Sequence, residues 1–369
     1  DGSVAGRLGA GEWASLREPE DGGAARGRWV KLLSLAADGS ALSLYVGGVG
    51  QTEAWPDDFQ RTLDERCGFW PGPPDSRLLA GPAPDVKTFL EMAERFSSFF
   101  VGAFEAAERR GDWDLLLAYQ PLLDEVGHEL LPHPPGAPGR DAAREERAAA
   151  ATREAWRIAD RAAARYLSFR DREGDVVLLS DHGQRPVVRS VFPAEVLRRE
   201  GWIKTDLLGG RPVVRPDSPA DVCVSAGSAF VVLNRAGEMP GGVLSPEEAA
   251  DVLEDIAVRF RGLADETGAP LFSTVALRGQ MAPLGLDHPN AGDLVLLAGP
   301  GTTLRGGFPR QGDAAPLLQP AEIAGQHGYG PDPELDGIFF HVGPGVAPAR
   351  LPAVKAVEVA PRVAARMDL

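Results

Sequence analysis

Three stretches of the chain combine aspartate, histidine and glycine in ways that suit metal chemistry. The first reads Tyr119-Gln-Pro-Leu-Leu-Asp124-Glu-Val-Gly-His128, the second Ser180-Asp181-His182-Gly183, and the third Gly325-Gln-His327-Gly328-Tyr-Gly330. Carboxylate and neutral imidazole form the mixed donor set that zinc and similar divalent ions take. The Asp124–His128 spacing sets two side chains one helical turn apart on one face, so both can reach one ion. Adjacent Asp181 and His182 can converge only on an irregular loop, and Gly183 permits such a turn. Taken singly, an Asp-His-Gly is most often a plain turn, and a Dx3H pair most often a solvated helix face. The set is distinctive because three of only 6 histidines fall in these glycine-rich contexts. Of the others, His133 reads as a surface loop residue and His341 as a satisfied core histidine in a strand. His288 reads as a loop residue with a cleft-lining role as the lesser alternative.

Several elements must position these groups. Apolar runs at Trp29–Leu35 and Ala41–Val46 flank Asp38-Gly39, which predicts a β-hairpin. Residues 1–27 read as loop and 51–84 as mostly irregular. From Asp85 to about Arg110 the spacing of Phe89, Leu90, Met92, Phe96, Phe99, Phe100 and Phe104 predicts an amphipathic helix whose aromatics are core. A short strand is expected at 114–119, a helix at about 141–167 and a strand at 175–179. Both strands lead directly into a candidate ligand cluster, and sites in open α/β sheets form just beyond the carboxyl ends of strands. Further on, Val222 to Leu233 reads as one or two strands around Gly227. Ser245-Pro-Glu-Glu248 carries the signature of a capped helix start, and the helix is expected to run to about Thr267. Buried strands are expected at 293–297 and 337–342. Alternating helix and strand predicts an α/β fold with a mainly parallel sheet and helices on both faces.

In that order, the motifs resemble the metal motifs of the type I phosphodiesterase/nucleotide pyrophosphatase branch of the alkaline phosphatase superfamily. The shared pattern is a strand ending in Asp-x-x-Gly-His, a strand ending in Ser-Asp-His-Gly, then Gly-x-His-Gly-Tyr, an Ile-Phe-Phe strand and Gly-Pro-Gly. The closing Val354-Lys-Ala-Val-Glu-Val-Ala-Pro361 also resembles the family's last segment, with Arg362 where a threonine is usual. The resemblance implies an alkaline phosphatase-like fold with inserted α+β cap elements. It implies two divalent ions, zinc by the donor set: Asp124, His128 and His327 for one, Asp181 and His182 for the other. It implies a hydrolase acting on a small phosphate ester by in-line displacement through a covalent phospho-enzyme. It also implies a further aspartate and a Thr or Ser nucleophile, for which no match is evident. Asp1-Gly2 follows no apolar strand, and Thr52 and Thr62 lie in the wrong surroundings. The expectation is that an upstream segment carries them, so that the activity belongs to a longer protein and this fragment alone is inactive. By the same resemblance, residues 1–110 are an amino-terminal part with hairpin and helix, and 111–190 the catalytic core with two metal motifs. Residues 191–320 are a cap-like insertion with a core strand, and 321–369 the rest of the core with the third motif. The rival readings are a phosphomutase of the same superfamily and a non-catalytic metal-binding domain. A sulfatase needs a Cys-x-Pro-x-Arg context that neither Cys67 nor Cys223 provides.

Bulk properties bound these readings. At 369 residues, 44% hydrophobic and 25% charged, the composition is that of a globular protein with a sizeable core. No run of 18 apolar residues predicts a membrane span. A net charge of −15 disfavours nucleic-acid polymers as partners, while metal cations reverse the local sign for a small phosphate. The two cysteines, Cys67 and Cys223, are not in a CxxC motif; they read as two buried thiols, with pairing left open as the alternative. Relatives of such proteins are often exported. The substrate and the oligomeric state are not encoded in these motifs.

Overall fold

The hairpin at Asp38-Gly39 forms because both turn residues suit it. Gly39 takes a left-handed φ of 70°, and Ser40 donates its amide (3.0 Å) and hydroxyl (2.6 Å) to Asp38 Oδ1. In the computed structural model, which describes residues 7–18, 24–80, 84–134, 137, 141–168, 174–309 and 316–369, the strands so joined are Arg26–Leu35 and Leu42–Val46. The chain divides into two units. The first comprises residues 1–129, 148–176 and 341–347, the second 130–147, 177–340 and 348–369. Asp1-Gly2 lies outside the described residues.

In the first unit, part of the expected amino-terminal loop is a strand. Trp13–Arg17 pairs antiparallel with Arg26–Leu35, from Trp13 opposite Lys31 to Arg17 opposite Gly27. The free edge of that long strand supplies the ladder partners that the local composition did not advertise. Residues 51–84 also hold a helix, Asp57–Arg66, which opens with two acidic residues and closes with a basic one, as the helix dipole favours. The predicted aromatic helix is Val86–Glu108, capped by Asp85, whose side chain accepts from the Thr88 amide at 3.0 Å. Phe89, Met92 and Phe96 are buried, at helical spacing. Buried Lys31 ties sheet to helix, donating to Thr88 Oγ1 (2.9 Å) and Glu91 Oε2 (2.6 Å). The helix Ala142–Leu167 buries Ala151, Ala155, Ile158, Ala162 and Tyr166 along one stripe, and Tyr166 meets Phe104 edge-on at 4.9 Å. The strand expected at 114–119 does not form. No ladder includes these residues, and Leu117 is 83% exposed. An apolar run gains extended pairing only where a neighbouring strand offers its backbone, and none among the described residues does.

The second unit is built on a four-stranded sheet in the order Phe272–Leu277, Leu294–Ala298, Ser228–Leu233, Ala220–Ser225. Leu294–Ala298 is central and buried throughout. One face packs with Leu197, Ile203, Ile256 and Phe260 in a large cluster, and Val295 and Leu297 on the other pack with Met281. The capping box at Ser245 is formed, and its helix runs Pro246–Arg261, ending before the Thr267 the spacing predicts. A second sheet centres on Arg185–Val191, beside Gly301–Leu304, Leu318–Pro320 and Gly325–Gln326.

The fold is thus mixed α/β, and among the described residues most ladders are antiparallel. Arg185–Val191 runs parallel to Gly301–Leu304, whereas the four-stranded sheet and the hairpins are antiparallel. The cause is connectivity: strands joined by a tight turn such as Ala226-Gly227 must run antiparallel, and a parallel pair needs a long crossover.

Candidate metal centre

In the first unit, Leu122–Leu130 is the predicted ligand helix. Leu122 and Val126 are buried and fix its face, and the Glu125 amide closes its first turn on the Pro121 carbonyl at 3.1 Å. Just upstream, Gln120 donates to the Ser97 carbonyl (3.3 Å) and the Tyr166 hydroxyl (3.2 Å), which anchors the segment to both long helices. Asp124 and His128 then share one face, with Oδ2 and Nε2 3.4 Å apart. Burial pushes the flanking Glu125 up from the ordinary carboxyl range, with the Asp124 charge adding to it. Glu129 is raised likewise by burial.

In the second unit, Ser180-Asp181-His182-Gly183 leaves the strand Val176–Leu179 as an irregular turn. Ser180 clamps it: its amide donates to the Ile338 carbonyl at 3.0 Å, and its hydroxyl accepts from the Ile338 amide at 2.9 Å. The Gly183 amide donates to the Leu335 carbonyl at 2.7 Å, and a Cβ there would lie 2.9 Å from that oxygen, so only glycine fits. His182 Nδ1 sits 3.2 Å from the Gly183 carbonyl. A carbonyl can only accept, so this bond puts a hydrogen on Nδ1 and leaves Nε2 as the nitrogen that could face an ion. Asp181 Oδ2 lies 3.4 Å from that nitrogen.

His327 follows the short strand Gly325–Gln326, which pairs with Arg185 and Pro186. Its carbonyl accepts from the Gly227 amide at 2.8 Å, and its own amide donates to Gln326 Oε1 at 3.0 Å. The motif's tyrosine braces it further, since Tyr329 donates its hydroxyl to the Thr302 carbonyl at 2.7 Å. Arg185 lies over the Tyr329 ring and pairs with Asp332, and with Glu334 at 3.3 Å. Burial raises the Tyr329 phenol well above its usual range, which keeps it a neutral donor. The rings of His182 and His327, which the resemblance assigns to different ions, stack at 3.7 Å and 14°. Sequence reasoning missed Arg185 and the Tyr329–Thr302 bond, because neither carries a ligand-type signature.

Both Asp–His pairs match the spacing of shared ligands. Two donor atoms each ~2.0–2.2 Å from one ion at a tetrahedral angle lie about 3.3–3.6 Å apart. In each pair the nearest carboxylate oxygen and imidazole nitrogen fall within that spacing, at 3.4 Å. The donor chemistry therefore fits a divalent ion at each pair.

The sequence matches the model of the type I phosphodiesterase / nucleotide pyrophosphatase family over residues 50–330. The chain belongs to this family. Membership supports a hydrolase of the phosphodiesterase or pyrophosphatase type acting on phosphoesters. No curated protein matches the chain.

The remaining histidines have local partners. His133 is buried, which corrects its reading as a surface residue: its ring nitrogens face the Leu131 (3.1 Å) and Val187 (2.8 Å) carbonyls. A proline-rich neighbourhood looks like exposed loop, but here the imidazole is anchored on the strand Arg185–Val191. His288 accepts from the Asn290 amide at 3.2 Å and caps a short turn. His341 in the strand Phe339–Val342 pairs with Asp175 at 3.2 Å. Both cysteines are free thiols, and exposed Cys223 corrects the expectation of burial. Among the described residues no helix is long and apolar enough to cross a membrane.

Proposed function

We propose that the chain is the metal-binding part of a two-metal phosphoester hydrolase, with Asp124, His128 and His327 holding one divalent ion and Asp181 and His182 holding the second. Zinc is the expected metal for this donor set. The observation that carries the reading is the paired 3.4 Å spacing of carboxylate and imidazole at Asp124–His128 and Asp181–His182, in the motif order of the family. Bound ions of this kind lower the pKa of an attacking hydroxyl and neutralise charge on the leaving oxygen of an in-line displacement.

The chain's own residues orient the donors. The Gly183 carbonyl holds His182 in the tautomer that presents Nε2, and the Ser180 clamp on Ile338 fixes the turn. Tyr329 and Gly227 hold the backbone at His327. Attack on phosphorus falls to a Thr or Ser hydroxyl supplied from outside this sequence, together with a further aspartate for the second ion. The mainly parallel core sheet belongs to the same proposal, completed by that additional strand.

Hydrolysis of nitrophenyl phosphate monoester and diester by zinc-loaded protein tests this. Residues 1–369 alone are expected to turn over negligibly, and a polypeptide that also carries the Asp and Thr/Ser segment is expected to hydrolyse the ester. Asp124→Asn is expected to abolish that turnover. Zinc binding without turnover in the longer polypeptide would favour the non-catalytic reading.

A further inference from the structure

A second site lies in the first unit and includes none of the residues proposed as metal ligands. Between the sheet and the helix Val86–Glu108 is a cavity of about 490 Å³, a volume within the ordinary range for small-molecule sites. Trp13, Trp29, Phe69 and Phe99 give it aromatic walls, and its charged lining is Arg66 and Arg95 with Glu91 and Glu94. The Arg95 guanidinium lies over both indoles, 4.8 Å from the Trp13 centroid and 4.3 Å from that of Trp29.

The hydrogen-bond balance of this cavity is lopsided. One oxygen of each carboxylate is engaged: Glu91 Oε2 accepts from Lys31 and Trp13 Nε1 at 2.6 Å each, and Glu94 Oε1 accepts from Arg161 at 2.8 Å. Its donors are left over. Among the described residues Arg95 Nε and Trp29 Nε1 are both buried without a partner, and no carboxylate pairs with Arg66 or Arg95. Buried polar groups are ordinarily satisfied, and two unsatisfied donors at one cavity ask for an acceptor. Burial also pushes the Arg95 guanidinium below its ordinary range, against the opposing pull of the Glu91 and Glu94 charges.

We propose that this cavity binds a small organic anion, a carboxylate or phosphate carried on an aromatic ring, with Arg66, Arg95 and Trp29 Nε1 donating to the anionic group and the aromatic walls taking the ring. The site is independent of the metal residues, and its failure leaves the phosphoesterase reading untouched. Arginine forks recognise both carboxylate and phosphate, which is why the two share one site.

Cys67 lines the cavity and provides a local reporter. Its free thiol is half-buried, while Cys223 is exposed and lies in the other unit. Alkylation by iodoacetamide, followed at each cysteine by peptide mass spectrometry, is measured with EDTA present to keep the metal residues empty. Benzoate, phenyl phosphate and inorganic phosphate are the probes. Benzoate or phenyl phosphate should slow alkylation of Cys67 several-fold and saturably, leaving Cys223 unchanged, and whichever of the two protects better identifies the head group. Arg66→Ala, at an exposed side chain that should not disturb folding, should shift the half-protecting concentration about tenfold, and Arg95→Gln should remove protection. Protection by inorganic phosphate as strong as by phenyl phosphate would overturn the aromatic part of the proposal. No protection by any probe, or equal protection in Arg66→Ala, would overturn the site itself.

Discussion

Replacing Gly328 by alanine should destabilise the second unit by an amount that two separate costs set. Gly328 sits at φ +76°, a conformation in which a side chain costs roughly 1–2 kcal/mol. The new Cβ would also lie 3.0 Å from the Ala226 Cβ, 3.2 Å from the Gly227 nitrogen and 3.4 Å from the Ser225 carbonyl oxygen. Two of these are backbone atoms of a hairpin and cannot rotate away, so overpacking adds roughly 1–3 kcal/mol. Together the loss is about 2–5 kcal/mol, a large share of a typical folding stability. Gly330→Ala is the control. Its Cβ would meet only the end of the Leu297 side chain, at 3.2 Å, which can move, and no left-handed φ is involved. Its cost should stay below ~1 kcal/mol. Urea unfolding with linear extrapolation reads both. Equal midpoints for the two variants, or a loss under ~0.5 kcal/mol for Gly328→Ala, would refute the claim that backbone sterics fix the loop that carries His327.

Two further outcomes are expected. Glu195 is buried, and burial alone would raise its carboxyl, but hydrogen bonds and charge from Arg198 and Arg199 outweigh it and hold it below 4.5. Its stabilisation is therefore complete above the unfolded value and lost as pH falls through the lower folded value, so unfolding free energy measured from pH 6 downward should fall less steeply in Glu195→Gln. Ser245→Ala removes the oxygen that accepts from the Glu248 amide and should cost ~1 kcal/mol, read as a shift in denaturation midpoint.

Much of the architecture was legible because local chemistry and tertiary role agree. Asp38-Gly39, the Asp85 cap and the Ser245 box each specify an element boundary with residues that can do little else. The misses arise where long-range context decides. Trp13–Arg17 is a strand because the edge of Arg26–Leu35 is available to it, which its own residues do not reveal. Residues 114–119 have the composition of a buried strand but no partner strand among the described residues. Strand direction is equally non-local: turn length betrays the antiparallel pairs, but the pairing of Arg185–Val191 with Gly301–Leu304 depends on everything between them. At the site, the ligand types and the glycines were readable, because a Cβ at Gly183 or Gly227 would strike backbone oxygen. The supporting bonds of Arg185, Tyr329 and Ser180 were not, since ordinary polar residues acquire such roles only through folding.

We propose that Asp124, His128 and His327 share an ion while Asp181 and His182 hold a second. Calorimetric titration of zinc into chelator-stripped protein tests it most directly, with His327→Ala and His182→Ala alongside. One tightly bound ion is expected, from the set with three protein ligands, and a second bound weakly by two. The tight ion should be lost in His327→Ala and the weak one in His182→Ala. A stoichiometry of zero, or a tight site that survives His327→Ala unchanged, would contradict it.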